Sequence, residues 1–193
     1  MSQQLKLIGI CGKKFSGKDT MADHLVKKYG YHKLSLGDPL KQALQVIFGF
    51  SDTQLWGSEK EQFDFFWQIT PREIMQSVGT ELFRVHFGQL YPHIGGEIWV
   101  MSLQHHMEQL IQQGISTFVV PDIRFPNEVQ WLRRHGGTLV QVTRITTEET
   151  TKVGVDHISE HALDQKEDRP DYIIENNGTY EELYQKVDHL MMM

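Results

Sequence analysis

The sequence predicts an α/β protein, a five-stranded parallel sheet flanked by helices, and three observations carry that expectation. Strand and helix patterns alternate from end to end. Two strand candidates are nearly continuous apolar runs, as strands covered on both faces should be. The first of them runs directly into a glycine-rich turn and a helix. With 193 residues, 39% hydrophobic and 23% charged, the chain has the composition of one globular domain with room for an inserted lobe. Folding at this size removes roughly 70% of the unfolded chain's accessible surface, so neither disulfides nor a structural metal is needed.

The five strands are expected at residues 5–11, 31–36, 117–122, 138–143 and 172–175, with the first (LIGIC) and third (FVV) central. Helical spacing joins Met21, Leu25, Val26 and Tyr29, then Leu40, Ala43, Leu44, Ile47 and Phe48. Thr70, Pro71 and Glu73 read as a capping box with proline in the first turn, and Thr179 with Glu182 reads as a second box. Gly114 and Gly136 follow apolar periodic stretches and read as helix stops. A helix over 97–113 turns Val100, Leu103, Met107 and Leu110 inward and leaves His105 and His106 on a solvated side. Two segments interrupt the alternation. Residues 38–113 form a helical insertion rich in aromatics, and 144–170, polar and threonine-rich, form a lid before the last strand. The core is then 1–37, 114–143 and 171–193. Burial accounts for the aromatic cluster Trp56, Phe63, Phe65, Phe66 and Trp67; a base platform or a contact with a second copy, making a homodimer, are its other uses.

Charge and cysteine content narrow the function. Nineteen Lys and Arg against 25 Asp and Glu leave a net charge of −6, which argues against a broadly basic binder of nucleic acid polymers. An anionic ligand therefore needs cations concentrated locally. The one cysteine, Cys11, has no intrachain partner, which fits a reducing compartment. No apolar run approaches the roughly 20 residues that span a bilayer, so no membrane association is expected and the location read is cytoplasmic.

After the first strand comes Gly12-Lys13-Lys14-Phe15-Ser16-Gly17-Lys18-Asp19-Thr20, matching G-x-x-x-x-G-K before a helix. Glycines let the backbone wrap phosphate oxygens with its N–H groups inward, the helix N-terminus adds a favourable dipole, and Lys18 brings charge to the β and γ phosphates. This is a P-loop NTPase arrangement, which implies ATP, with Mg2+ to neutralise its charge. Asp19 stands where Ser or Thr usually reaches the metal, and Thr20 follows; either can take that contact. The third strand ends in Asp122 at the edge where ligands sit in open α/β sheets, and Arg124 follows with a guanidinium suited to clamping a phosphate.

The acceptor is read from the remaining cations. A monophosphate acceptor is already anionic and needs positive charge to offset phosphate–phosphate repulsion, whereas a hydroxyl acceptor needs a base. Lys14, Lys41, Arg72, Arg84 and Arg124 favour the first case, with Arg72, Gln76 and Arg84 on one broad side of the helix opening at Thr70. Asp38 keeps a hydroxyl acceptor open. His157-Ile158-Ser159-Glu160-His161 matches the inverted zincin pattern H-x-x-E-H, but no third ligand is apparent in its polar surroundings. His157 and Glu160 are read instead as lid residues, and no metal ligand set is assigned.

The stretches G-x-x-x-S-G-K-D-T from Gly12, T-P-R-E from Thr70 with Gln76, G-T-E from Gly79, V-x-D-x-R-F-x-N-E from Val120, D-H-x-S-E from Asp156 and N-x-G-T from Asn176 resemble the deoxynucleoside monophosphate kinases of tailed bacteriophages, in the P-loop nucleoside monophosphate kinase superfamily. The resemblance covers nearly the whole chain and includes the Asp19-Thr20 pair. It implies transfer of the γ-phosphate of ATP to a deoxynucleoside 5′-monophosphate in the host cytoplasm, with a mobile acceptor-binding insertion and a lid. It further implies that Lys18 meets the ATP phosphates and that Lys14, Lys41, Arg72 and Arg124 meet the acceptor. Two alternatives are a P-loop kinase for a hydroxyl acceptor, a nucleoside or dephospho-coenzyme A, and a nucleotide-sensing module without phosphoryl transfer.

Overall fold

The computed structural model describes residues 5–145 and 168–193. These fall into two compact units, one of residues up to Ser35 together with those from Met107 onward, the other Leu36–His106.

The first unit is a five-stranded sheet, all parallel, in the order β2-β3-β1-β4-β5. The strands are β1 (Lys6–Cys11), β2 (His32–Lys33), β3 (Thr117–Val120), β4 (Thr138–Thr143) and β5 (Tyr172–Glu175). The two apolar runs are therefore the middle strand and its neighbour. β1 pairs Ile8 with both Val119 and Thr138. On one face, Ile8, Ile10, Val119, Val140, Val142 and Ile174 pack with Met21, Ala22 and Leu25 of α1 (Lys18–Tyr29) and Leu183 and Val187 of α8 (Tyr180–Met191). Truncating a side chain as enclosed as Leu25 would cost about 2–5 kcal/mol. α7 (Pro126–Arg134) lies on the opposite face, its Leu132 filling the space over Gly9.

Two strands are shorter than the sequence suggests. Pro121 has no N–H for the ladder, so β3 ends at Val120 and Asp122 lies in the following turn. β2 is an edge strand that pairs His32 with Phe118 and Lys33 with Val119; Tyr31 spends its N–H on the Leu25 carbonyl at the end of α1, and the last contact is Leu34 N–H to the Val119 carbonyl. At the same C-terminal end of α1, Asp188 of α8 accepts from His24 (2.7 Å), Lys28 (2.6 Å) and Tyr29 (2.9 Å). The Lys28 and His24 hydrogen bonds hold that carboxyl far below the usual range, outweighing its partial desolvation. Among the described residues no helix is long and apolar enough to cross a membrane.

The second unit holds α2 (Asp38–Phe48), α3 (Asp52–Leu55), α4 (Pro71–Gln76), α5 (Phe87–Leu90) and the start of α6 (Ile98–Gln112). The Thr70 capping box forms as expected, Thr70 and Glu73 satisfying each other's backbone N–H groups. α4 then widens into a π-helical stretch, Ser77–His86, held where the Trp99 indole donates to the Gly79 carbonyl (3.0 Å, buried). The α2 stripe is narrower than its spacing suggests, since Leu40 and Leu44 are buried while Ala43 and Ile47 are exposed.

Burial does not account for the aromatic cluster. Phe65 and Phe66 are 83% and 82% exposed, and Phe63 is also exposed. The cause is a tight turn in which the Asp64 carboxylate accepts from the N–H groups of Phe66 and Trp67, turning consecutive rings outward. The two tryptophans find partial cover, Trp67 edge-on to Phe48 and donating to its carbonyl, Trp56 donating to Asp38.

Candidate phosphate-binding site

The turn between β1 and α1 is built from left-handed residues at fixed positions. Gly12 (φ 137°), Phe15 (φ 63°) and Gly17 (φ 106°) flank Lys13, Lys14 and Ser16, an alternation that turns N–H groups to the inside of the loop. Gly12 can be nothing larger, because a Cβ would collide with the Val142 carbonyl. The Lys13 carbonyl accepts from Ser16 N–H (3.2 Å) and from the Lys18 ammonium (2.7 Å), so Lys18 folds back across the loop. Gly17 is the N-cap of α1 and supplies no side-chain cap, which leaves the helix's positive end to the loop.

Ser16 tests whether an anionic ligand fits. It is 2% exposed, and its hydroxyl has no hydrogen-bond partner among the described residues. That hydroxyl lies beside Gly12, where even a Cβ would approach it to 3.0 Å. A buried hydroxyl without a partner costs roughly 1–3 kcal/mol, which a phosphate oxygen in the loop would relieve. The residues present therefore fit a phosphate group held in this loop.

Side chains from other elements close in around this turn. Ser35, just after β2, donates to the Asp122 carboxylate (2.7 Å) and orients it. The Ile123 N–H bonds the Ile10 carbonyl, tying the turn after β3 to the end of β1. Glu128, 1% exposed on α7, accepts from the N–H groups of Arg124 (2.7 Å) and Phe125 (3.1 Å), fixing the backbone from which Arg124 projects. Asn176, following β5, donates to the Ser16 carbonyl (2.8 Å). Ser35 carries no spacing signal; Pro126 followed two residues later by Glu128 is a helix-start signal that marks the second.

Asp19 is 81% exposed and 3.5 Å from Lys33, which also bonds Asp23 at 2.9 Å. Partial burial opposes the Lys33 ammonium, but the Asp23 hydrogen bond and the two carboxylate charges outweigh it and raise its pKa above the ordinary value. Burial pushes the Cys11 thiol up to about 11 against the opposing charge of Lys18, so the thiol is neutral at physiological pH.

Arg72, Lys41 and Arg84 lie in the second unit. Arg72 pairs with Glu61 (3.1 Å). Lys41 lies 3.5 Å from Asp38 and over the Trp56 ring. Arg84 donates to the Gly96 carbonyl (3.3 Å), and Gln76 is half-buried at the end of α4. The π stretch replaces the α repeat after Ser77, so Arg84 does not share the α-helical register of Arg72 and Gln76. Asp38 also accepts from the Trp56 indole (2.9 Å), so one of its oxygens is committed to structure. Lys14 stands over the exposed Phe15 ring. His157, Glu160 and most of the lid lie outside the described residues.

The profile of the family described as deoxynucleotide monophosphate kinase matches residues 6–65 and 58–187. A protein of Acanthamoeba polyphaga mimivirus with that designation is 31% identical over 187 residues, 94% of this chain and 93% of its own. The deoxynucleotide monophosphate kinase of Enterobacteria phage T4 is 25% identical, with 97% of this chain and 99% of that protein aligned. Among solved structures, dephospho-CoA kinase from Campylobacter jejuni superposes with a TM-score of 0.54 at 12% identity over 97% of this chain and 96% of that one. TT1252 from Thermus thermophilus does so at 0.51 and 18%, over 98% of both. These two establish the fold alone. The chain belongs to the deoxynucleotide monophosphate kinase family.

Proposed function

We propose that this chain transfers the γ-phosphoryl group of ATP to the 5′-phosphate of a deoxynucleoside monophosphate, releasing ADP and the deoxynucleoside diphosphate. The observation that carries the reading is the phosphate loop, with its left-handed positions, its uncapped helix start and the unpartnered Ser16 hydroxyl. Family membership supports the choice of acceptor.

An acceptor phosphate oxygen attacks the γ phosphorus in line as the bond to the β–γ bridging oxygen breaks. That oxygen leaves with ADP. A monophosphate near neutral pH needs no base, so catalysis reduces to positioning and to stabilising charge. Gly12, Ser16, Gly17, Lys18, Asp19 and Thr20 hold the triphosphate, with the Lys18 ammonium at the β and γ oxygens and Arg124 at the transferred group. Magnesium, when bound with ATP, neutralises charge on those oxygens, and Asp122 with Asp19 or Thr20 would hold it. In the sheet unit, Lys14 adds a cation for the acceptor phosphate and Asp122 borders its position. In the helical unit, Lys41, Arg72, Gln76 and Arg84 are the acceptor contacts, with Arg72 and Lys41 exchanging their carboxylate partners for the ligand. A lid over 144–170, with His157 and Glu160, belongs to the same reading.

Chromatographic separation of products after incubation with magnesium-ATP and each common ribo- and deoxyribonucleoside monophosphate tests it. ADP and a deoxynucleoside diphosphate should appear together in equal amounts. ATP binding with no diphosphate product from any monophosphate would overturn the reading.

A further inference from the structure

We infer that Asn176 is a positioning residue of the phosphate loop, setting the direction in which the Gly17 N–H points. The inference rests on the phosphate-loop reading above and adds a residue from the far end of the chain to it.

Asn176 is itself firmly placed. Its own N–H donates to the Thr143 carbonyl (2.7 Å), extending the β4–β5 ladder one residue past β5, and the residue is 7% exposed. From there its side-chain amide donates to the Ser16 carbonyl (2.8 Å) across 160 residues of sequence. The Ser16 carbonyl and the Gly17 N–H belong to one planar trans peptide and point in opposite directions. Holding the carbonyl down toward β5 therefore aims the N–H the other way, to the phosphate side of the loop.

Gly17 makes such a hold necessary. With no Cβ, a glycine at φ 106° populates the alternative peptide orientation at little cost, so local sterics do not choose between the two. Nor can glycine be replaced to remove that freedom, because a Cβ at position 17 would collide with the same Asn176 amide. The loop keeps a residue that can flip and borrows its direction from a strand end.

Asn176→Ala and Asn176→Leu separate this role from space filling, since leucine keeps the branched outline of asparagine and removes the hydrogen-bonding groups of its amide. Both should weaken magnesium-ATP binding by about tenfold or more, the scale of losing an N–H aimed at a charged phosphate. The KM for the deoxynucleoside monophosphate should change less than twofold, and the leucine variant should keep a cooperative thermal unfolding transition. A leucine variant that binds ATP like wild type overturns the inference. In the wild-type protein, inorganic pyrophosphate should shift the Gly17 amide resonance, and an unmoved resonance at saturation overturns it without any variant. Lys18→Ala serves as the control: if it weakens ATP while both Asn176 variants do not, only the positioning role falls. If it also leaves ATP binding and turnover unchanged, the phosphate-loop reading falls with it.

Discussion

The turn after β1 and the helical unit Leu36–His106 carry their candidate phosphate contacts in opposite ways. In the turn, the groups offered to an anion are backbone N–H groups, set by φ angles and by a buried partner, Asn176. In the helical unit they are long cationic side chains on partly exposed helices, each resting on an oxygen of its own unit: Arg72 on Glu61, Lys41 near Asp38, Arg84 on Gly96. The first arrangement is organised before ligand arrives. In the proposed acceptor site the second would exchange contacts for the ligand, and surface ion pairs such as Arg72–Glu61 and Lys41–Asp38 hold together by only about 0–1 kcal/mol, so exchange is cheap. A donor site that loses a preorganised charge should fail in turnover, whereas an acceptor site that loses an exchangeable one should fail in affinity.

Lys18→Ala should break the rigid side of this comparison most severely. Steady-state kinetics should show kcat lower by roughly 10²–10³-fold, the size of losing one preorganised group facing transition-state charge. The unfolding midpoint should stay near wild type, and an unchanged kcat would show the loop is not the donor site. Gly17→Ala comes next, since it meets both a left-handed φ and the Asn176 amide. Denaturant melts should show a loss of about 1–3 kcal/mol, together with weakened ATP binding.

Arg72→Ala sharpens the exchangeable side. Its acceptor KM should rise by about tenfold or more, with the ATP KM much less affected, as expected for one charge-assisted contact. Equal effects on both substrates would remove Arg72 from the acceptor site. The smallest effect lies away from either site, at Asp188. Its carboxyl is held low by Lys28 and His24, so it contributes stability above the unfolded-state pKa that is lost as pH falls through the depressed native value. Asp188→Asn should therefore lower the unfolding midpoint at pH 7, with the difference from wild type narrowing in increasingly acidic buffer. A gap that widens toward low pH would contradict the assignment.

Much of this was legible in local sequence. The apolar runs that became β1 and β3, the boxes at Thr70 and Thr179, and the glycines of the phosphate turn each depend on residues within a few positions of one another. The turn at Asp64 is local too, but its effect on Phe65 and Phe66 was not readable. Aromatic residues signal burial on average, and here two backbone N–H groups captured by one carboxylate overrule that average. The π stretch at Ser77–His86 defeats a 3.6-residue periodicity for a different reason: its widened turns coincide with a hydrogen bond from Trp99 to Gly79, 20 residues away.

The alternation of elements, the phosphate loop with Lys18, and the set of cations from which an acceptor site is drawn follow from local order along the chain, because periodicity, capping and glycine conformation act between near neighbours. What holds those residues in place comes from contacts between distant parts of the chain. Asn176 beneath Ser16, Ser35 against Asp122 and Lys33 between Asp19 and Asp23 are pairings of polar groups brought together by the sheet and its neighbouring helix. No short-range pattern announces them, since a hydrogen bond between distant positions constrains the fold's geometry rather than the spacing of residues along the chain.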